Sequence, residues 1–228
     1  MSLNRIITAG LFLALGAAPS YAQARIEVDA YGGWTFSDGV SGTAVVAGDG
    51  NTYNRIDPKD GGSIGFSVGT RIGEEGKGEF GFMYGHQFSN LVAGGTADRE
   101  LGSWGIDNYH GYFGYNFAEH DAKVVPFFYG GLGATHYGGV TISGIAVPVG
   151  AAGTEIGSST KFSTTWGGGV KYFVNPKVGI RAAGSWTPTY IKSDAGGWWC
   201  DPYWGCYLVG NAQYSNQLTL SGGVSLRF

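Results

Sequence analysis

The chain has 228 residues, with 43 glycines, 15% aromatic residues and only 14% charged residues. Ordinary soluble domains carry about 25% charged residues, yet the aromatic content leaves ample apolar surface to bury, which excludes a disordered chain. A net charge of −3 gives no electrostatic basis for nucleic-acid binding, and the glycines follow no collagen-like period.

Residues 1–24, MSLNRIITAGLFLALGAAPSYAQA, place Arg5 before an apolar run over Ile6–Ala17 and end in the small residues Ser20, Ala22 and Ala24. This is the layout of a secretory signal peptide, with cleavage expected after Ala22 or Ala24. About a dozen apolar residues is short of the ~20 of a spanning helix. No later run is long enough either, so any membrane contact of residues 25–228 must be made as a barrel.

From Arg25 onward the period is two, the strand period. The first segment, RIEVDAYGGWTF, puts Ile26, Val28, Ala30, Trp34 and Phe36 on one face and Glu27, Asp29, Tyr31 and Thr35 on the other. The second, SIGFSVGTRI, sets Ile64, Phe66, Val68 and Ile72 against Ser63, Ser67 and Arg71. The third sets Phe80, Phe82, Tyr84 and Phe88 against Glu79, Met83 and Gln87.

In the fourth, DNYHGYFGYNF, Tyr109, Phe113, Tyr115 and Phe117 oppose Asn108, His110, Tyr112 and Asn116. Trp104 and Ile106 then have the wrong parity, and a bulge or loop start is expected near Asp107. The fifth, VVPFFYGGLGATHY, is apolar on both faces and leaves its register open. The sixth sets Phe162, Trp166, Val170 and Tyr172 against Ser163, Thr165 and Lys171, and the seventh sets Val178, Ile180, Ala182, Trp186 and Tyr190 against Arg181, Ser185 and Thr187. The eighth alternates Leu218, Leu220, Val224, Leu226 and Phe228 with Gln217, Thr219, Ser221, Ser225 and Arg227.

Links GEEGK, AEHDAK and VNPK are short, whereas the intervening ones run to about 14–26 residues against the 2–5 of ordinary hairpins. Short turns at one end and long loops at the other, with aromatics near strand ends, are the pattern of a membrane-spanning barrel. Its interior is then the polar face, carrying Glu27, Asp29, Arg71, Glu79, Asp107, Lys171, Arg181 and Arg227. These charges read either as a plug of mutually paired groups or as the gate of a narrow ion path. GTAVVAG and GVTISGIAVPV are expected to extend strands beyond the membrane rather than to raise the strand number to ten.

The signal peptide, the eight alternating segments, VVPFFYGGLGATHY and the closing LTLSGGVSLRF resemble the OmpA-like and opacity-protein-like outer-membrane β-barrels of the porin family. The resemblance implies an all-β fold: an eight-stranded antiparallel up-and-down transmembrane β-barrel with short periplasmic turns and four long extracellular loops, in the outer membrane of a Gram-negative bacterium. It implies outer-membrane lipid and lipopolysaccharide as surroundings. It also implies that the barrel-assembly machinery reads Leu218, Leu220, Val224, Leu226 and Phe228 in the last strand. Unlike full-length OmpA-like proteins, the barrel is expected to carry no peptidoglycan-binding domain after it, so direct cell-wall anchoring is not expected.

Cys200 and Cys206, close together in an exported chain, read as a disulfide rather than a metal site. The bond would close a small ring in the fourth loop, about Ile191–Ala212, displaying Trp198, Trp199, Tyr203, Trp204 and Tyr207 as a candidate contact surface. Enzyme motifs are weak. His86 and Ser89 are three apart, which places them on opposite faces of a regular strand, and His120–Asp121 falls in a predicted short turn. DGNTYN lacks the glycine of a calcium loop. The expectation is a non-enzymatic barrel without cofactor or metal, structural or interactive in role, with a small channel as the alternative and an outer-membrane enzyme third.

Overall fold

The computed structural model describes residues 25–46, 51–73, 75–141, 155–191, 198–201, 205–208 and 213–228. Its strands are β1 (Arg25–Ser37), β2 (Val40–Val46), β3 (Thr52–Pro58), β4 (Gly61–Ile72), β5 (Gly78–Gly95), β6 (Arg99–Asn116) and β7 (Val124–Tyr137). Then come β8 (Val140–Thr141), β9 (Glu155–Ile156), β10 (Ser159–Phe173), β11 (Val178–Ile191), β12 (Trp198–Asp201), β13 (Gly205–Leu208) and β14 (Gln213–Arg227). Among the described residues there is no helix.

Eight of these strands, β1, β4, β5, β6, β7, β10, β11 and β14, pair antiparallel in chain order, and β14 returns to β1. The closing seam is continuous from Glu27 opposite Arg227 to Ser37 opposite Gln217. The Phe228 amide then donates to the Ile26 carbonyl at 2.9 Å. Closure removes the edges of the eight-stranded ring, so within it the strands leave no edge open to an apolar medium. The hairpin β2–β3 adds to the far end of β5 through Pro58 opposite Leu91, as an extension outside the closed ring.

The tight turns sit together at one end. Gly73 and Gly76 adopt φ of 87° and 63° in the first, a region open to glycine at little cost. In the turn before β11, Asn175 Oδ1 accepts from the amides of Lys177 and Val178 at 2.9 and 2.8 Å, which fixes the reversal.

The outward face is an apolar band that includes Trp34, Phe66, Phe80, Phe113, Phe128, Trp166, Ile180 and Leu220, each 42–61% exposed. Buried side chains inside are mostly polar or charged, the reverse of a soluble core. The fifth segment takes one register: Val125, Phe127 and Tyr129 point inward, while Val124, Phe128 and Leu132 point outward.

Inward aromatics explain the glycine content. Tyr31 lies over Gly65, Tyr112 over Gly69 and Gly81, Tyr129 over Gly167, and Phe173 over Gly179, each where an added Cβ would come within 2.8 Å of the ring or its hydroxyl. A narrow barrel seats a large ring only where a facing position has no side chain.

At the long-loop end the inside changes character. Leu91, Leu101, Trp104, Ile106, Tyr137 and Val140 form an apolar core, with Trp104 stacked on Tyr137. Trp104 and Ile106 therefore point inward in phase with His110 and Tyr112. No bulge occurs near Asp107; β5 and β6 stay in register there and slip only between Leu91 and Val92, opposite Leu101. The expected break corresponds instead to the point where the strands leave the apolar medium, so that an apolar interior becomes favourable.

Candidate functional site

The interior is stacked in layers along the barrel. Nearest the turns, Glu27, 1% exposed, receives three cations. Arg71 Nη2 and Arg227 Nε donate to its Oε2 at 3.2 and 3.3 Å, and Lys171 donates to Oε1. Lys171 also lies 3.6 Å from Asp29 and 3.7 Å from Glu79. Arg181 donates to Asp29 at 2.6 Å, and Ser67 and Ser225 add donors at 2.9 and 2.6 Å. Glu79 accepts from the Tyr112 hydroxyl at 2.6 Å and from Asn116 Nδ2 at 3.0 Å.

Aromatic faces complete the packing around the cations. Arg227 stacks 3.2 Å from the Phe173 centroid, and Arg181 lies 4.9 Å from that of Tyr31. Three carboxylates and four cations thus share one desolvated network. Each ion there faces at least one opposite charge, because an isolated charge inside would be prohibitively costly, although the cations outnumber the carboxylates by one and Arg71 Nε, Arg181 Nε and Arg227 Nη2 lack hydrogen-bond partners.

Above the charges lies a neutral layer. Gln217 Nε2 donates to Gln87 Oε1 at 3.0 Å, and Asn108 Nδ2 donates to Gln217 Oε1 at 3.0 Å. His110 Nε2 and Ser163 Oγ are 2.9 Å apart, and Thr189 and Thr135 join hydroxyls at 2.9 Å. Two small cavities lie among these layers, of about 20 Å³ between Lys171, Tyr112 and Phe127 and about 60 Å³ between Tyr31, His110 and Thr187. The first has room for about one water.

Asp107 is not an interior charge. It has outward parity, and its Oδ1 accepts from the Tyr84 hydroxyl at 2.7 Å and is 2.8 Å from His86 Nδ1. Hydrogen bonds to neighbouring outward groups let this carboxylate sit at the edge of the apolar band. The other seven predicted interior charges converge in the network just described.

His86 and Ser89 do not meet: the Ser89 hydroxyl donates to the Lys59 carbonyl at 2.6 Å. In the turn before β7, burial, followed by the nearby Arg227, Arg71 and Arg25, holds the His120 imidazole below its ordinary pKa. Its Nε2 is buried without a hydrogen-bond partner. No group of metal-ligating side chains is found among the described residues.

Leu218, Leu220, Val224, Leu226 and Phe228 all face outward, from 37% exposure at Leu226 to 72% at Phe228. The short strands β12 and β13 place Cys200 opposite Cys206 and Trp199 opposite Tyr207. Tyr203 and Trp204 lie outside the described residues, as do the first 24 residues and Asp49–Gly50 of the DGNTYN stretch. The GVTISGIAVPV stretch is described only as far as Thr141.

A closed ring with an apolar outer band, a polar interior and all tight turns at one end defines a membrane-spanning β-barrel. The sequence model of the outer membrane protein beta-barrel domain matches residues 8–228, and the chain belongs to that family. It is an outer-membrane protein, its short turns periplasmic and its long loops extracellular.

Similar folds occur in Neisserial surface protein A, with 15% identity, a TM-score of 0.52 and coverage of 89% of this chain and 97% of that one. OprG from Pseudomonas aeruginosa has 11% identity, a TM-score of 0.54 and coverage of 90% and 96%. The outer membrane protease OmpT from Escherichia coli has 10% identity, a TM-score of 0.51 and coverage of 92% and 99%. At these identities the likeness is one of fold. Comparison with curated protein sequences gives no significant match.

Proposed function

We propose that the protein serves as a structural and surface-interaction barrel whose interior is closed by its own side chains. The observation that carries this reading is the Glu27–Lys171–Asp29–Arg181 network with its arginine and tyrosine partners. Beside it and above it lie interior cavities of about 20 and 60 Å³. Eight strands enclose a space that side chains can fill. In planar bilayers the refolded protein is expected to show little or no conductance; large, steady ionic currents would establish the small-channel reading instead.

A non-enzymatic role is favoured by the site chemistry. A nucleophile must lie within hydrogen-bond reach of its base, and His86 is engaged by Asp107 and packed on Phe88 rather than bonded to Ser89. The protease activity named for OmpT is that protein's own. Residues 1–24 act in this reading as a cleaved export signal. The outward register of Leu218, Leu220, Val224, Leu226 and Phe228 supports recognition of the closing strand by the assembly machinery.

The fourth loop supplies the contact surface in this proposal, stapled by a Cys200–Cys206 bond. Directly opposed antiparallel residues have Cα atoms about 4.5–5.5 Å apart, within the roughly 4.4–6.8 Å that a disulfide spans. Unfolding and alkylation without reductant should leave the intact mass unchanged. Addition of two alkyl groups would remove the staple.

A further inference from the structure

The interior charges do not cancel. Glu27, Asp29 and Glu79 face Arg71, Lys171, Arg181 and Arg227. At the turn end Arg25, opposite Arg71, and Asp121, near Arg227, add one charge of each sign and leave the excess of one cation unchanged. The excess concentrates on the loop side of the network. There Lys171 and Arg181 stand directly opposite each other on β10 and β11 and share Asp29, and like charges so placed repel. Asp29 is already taken up by Ser67, Ser225 and Arg181.

Arg181 carries an orphan donor. Its side chain is 6% exposed, its Nη1 is bound to Asp29, and its guanidinium carbon lies 4.9 and 5.3 Å from the ring centroids of Tyr31 and Phe127, yet its Nε has no hydrogen-bond partner. A buried donor left unpaired is costly, the more so on a charged group. The other two orphan guanidinium nitrogens lie beside carboxylates: Arg71 Nε is 3.9 Å from Glu79, and Arg227 Nη2 belongs to a group bound through Nε to Glu27.

On the loop side of Arg181 lies the chamber of about 60 Å³. Arg181 and Tyr129 bound it toward the network, and Gln87 and Asn108, joined through Gln217, bound it toward the loops. Among the described residues lining it none is an acid, and Arg181 supplies its one permanent charge. Two hydroxyl pairs stand in its wall, Thr187 with Thr165 at 3.1 Å and Thr35 with Thr219 at 2.9 Å. Each pair uses one of its two protons internally and leaves the other free to point into the chamber.

We propose that this chamber is an anion site that holds one chloride ion, the counter-charge of the fourth cation. A water there would satisfy Arg181 Nε but not its charge, whereas a halide accepts from Nε and from the spare hydroxyls and balances the network. Size selects the ion. The chamber has room for roughly four water-sized spheres, so a monatomic halide fits with water around it and a polyhydroxy carboxylate such as gluconate does not. The proposal rests on the closed-interior reading, in which the chamber is a dead end rather than part of a conduit.

Crystals of the refolded protein grown in sodium bromide are expected to show one anomalous scatterer in the chamber beside Arg181. In micelles at fixed ionic strength, the urea midpoint is expected to rise as chloride replaces gluconate, by equal steps for each tenfold increase once the site is filled. Arg181→Met should abolish that rise. Thr165→Val/Thr187→Val removes one hydroxyl pair and leaves all four cations in place, so it carries the test even where Arg181→Met does not fold. It should move the onset of the rise to about tenfold higher chloride, as for the loss of one hydrogen bond to a charged group. Water alone in the chamber of bromide-grown crystals, equal midpoints in chloride and gluconate, or an unaltered chloride effect in Thr165→Val/Thr187→Val overturns the proposal. Conductance separates it from the reading it rests on: steady currents through a barrel that still shows the bromide would overturn the closed interior and leave the anion site, and a silent barrel without bromide would do the reverse.

Discussion

Replacing Glu27 by Leu is expected to destabilise the folded barrel by about 3–5 kcal/mol, the range for breaking a buried ion pair by removing one partner. Glu27 accepts from Arg71, Lys171 and Arg227 at once. Without it, two carboxylates, Asp29 and Glu79, face four cations in a space with room for about one water beside Lys171. The measurement is the urea midpoint of the heat-modifiable band on a gel.

The double variant Glu27→Leu/Lys171→Met tests the cause. It removes one charge of each sign and restores the excess of one cation found in the native network, so more than half of the lost stability is expected to return. Apolar replacement of a buried pair is often neutral. A double variant as unstable as Glu27→Leu alone would show that Glu27 acts by packing rather than by charge.

The barrel itself was legible because both of its faces are written in a period of two. Lipid outside and a polar plug inside impose opposite demands on successive residues, and Glu27, Asp29, Lys171 and Arg181 announce the inner face wherever the strand is within the membrane. That rule lapses at the extracellular end. Trp104 and Ile106 are apolar yet inward, because there the exterior is water and the interior an apolar core. Asp107 is charged yet outward, because it lies at the interface beside Tyr84 and His86.

Parity alone has no knowledge of where the membrane stops, so these positions were misread for one reason. The interior network was legible only as a set of charges. Which acid meets which base depends on the register of strands far apart in sequence, such as Glu27 with Lys171. The glycines carried a signal of the same kind, since each inward glycine beneath an aromatic becomes meaningful only once its strand neighbour is known.

One such pairing sets the second large effect. Gly69→Val is expected to cost several kcal/mol, because its Cβ alone would lie 2.4 Å from the Tyr112 hydroxyl and 2.9 Å from Glu79 Oε1. Overpacking of this kind costs typically about 1–3 kcal/mol. Displacing the phenol also breaks its 2.6 Å bond to Glu79, and a hydrogen bond to a charged group is worth roughly 1.5–3 kcal/mol. The atoms nearest the added carbon all belong to the Tyr112 and Glu79 side chains, so relief is available in trans. In Gly69→Val/Tyr112→Ala the valine enters the space the phenol leaves, and the loss should fall short of the sum of the single losses by about 1–3 kcal/mol. Strict additivity in urea unfolding would mean that Gly69 is required by the backbone of β4 rather than by the ring above it.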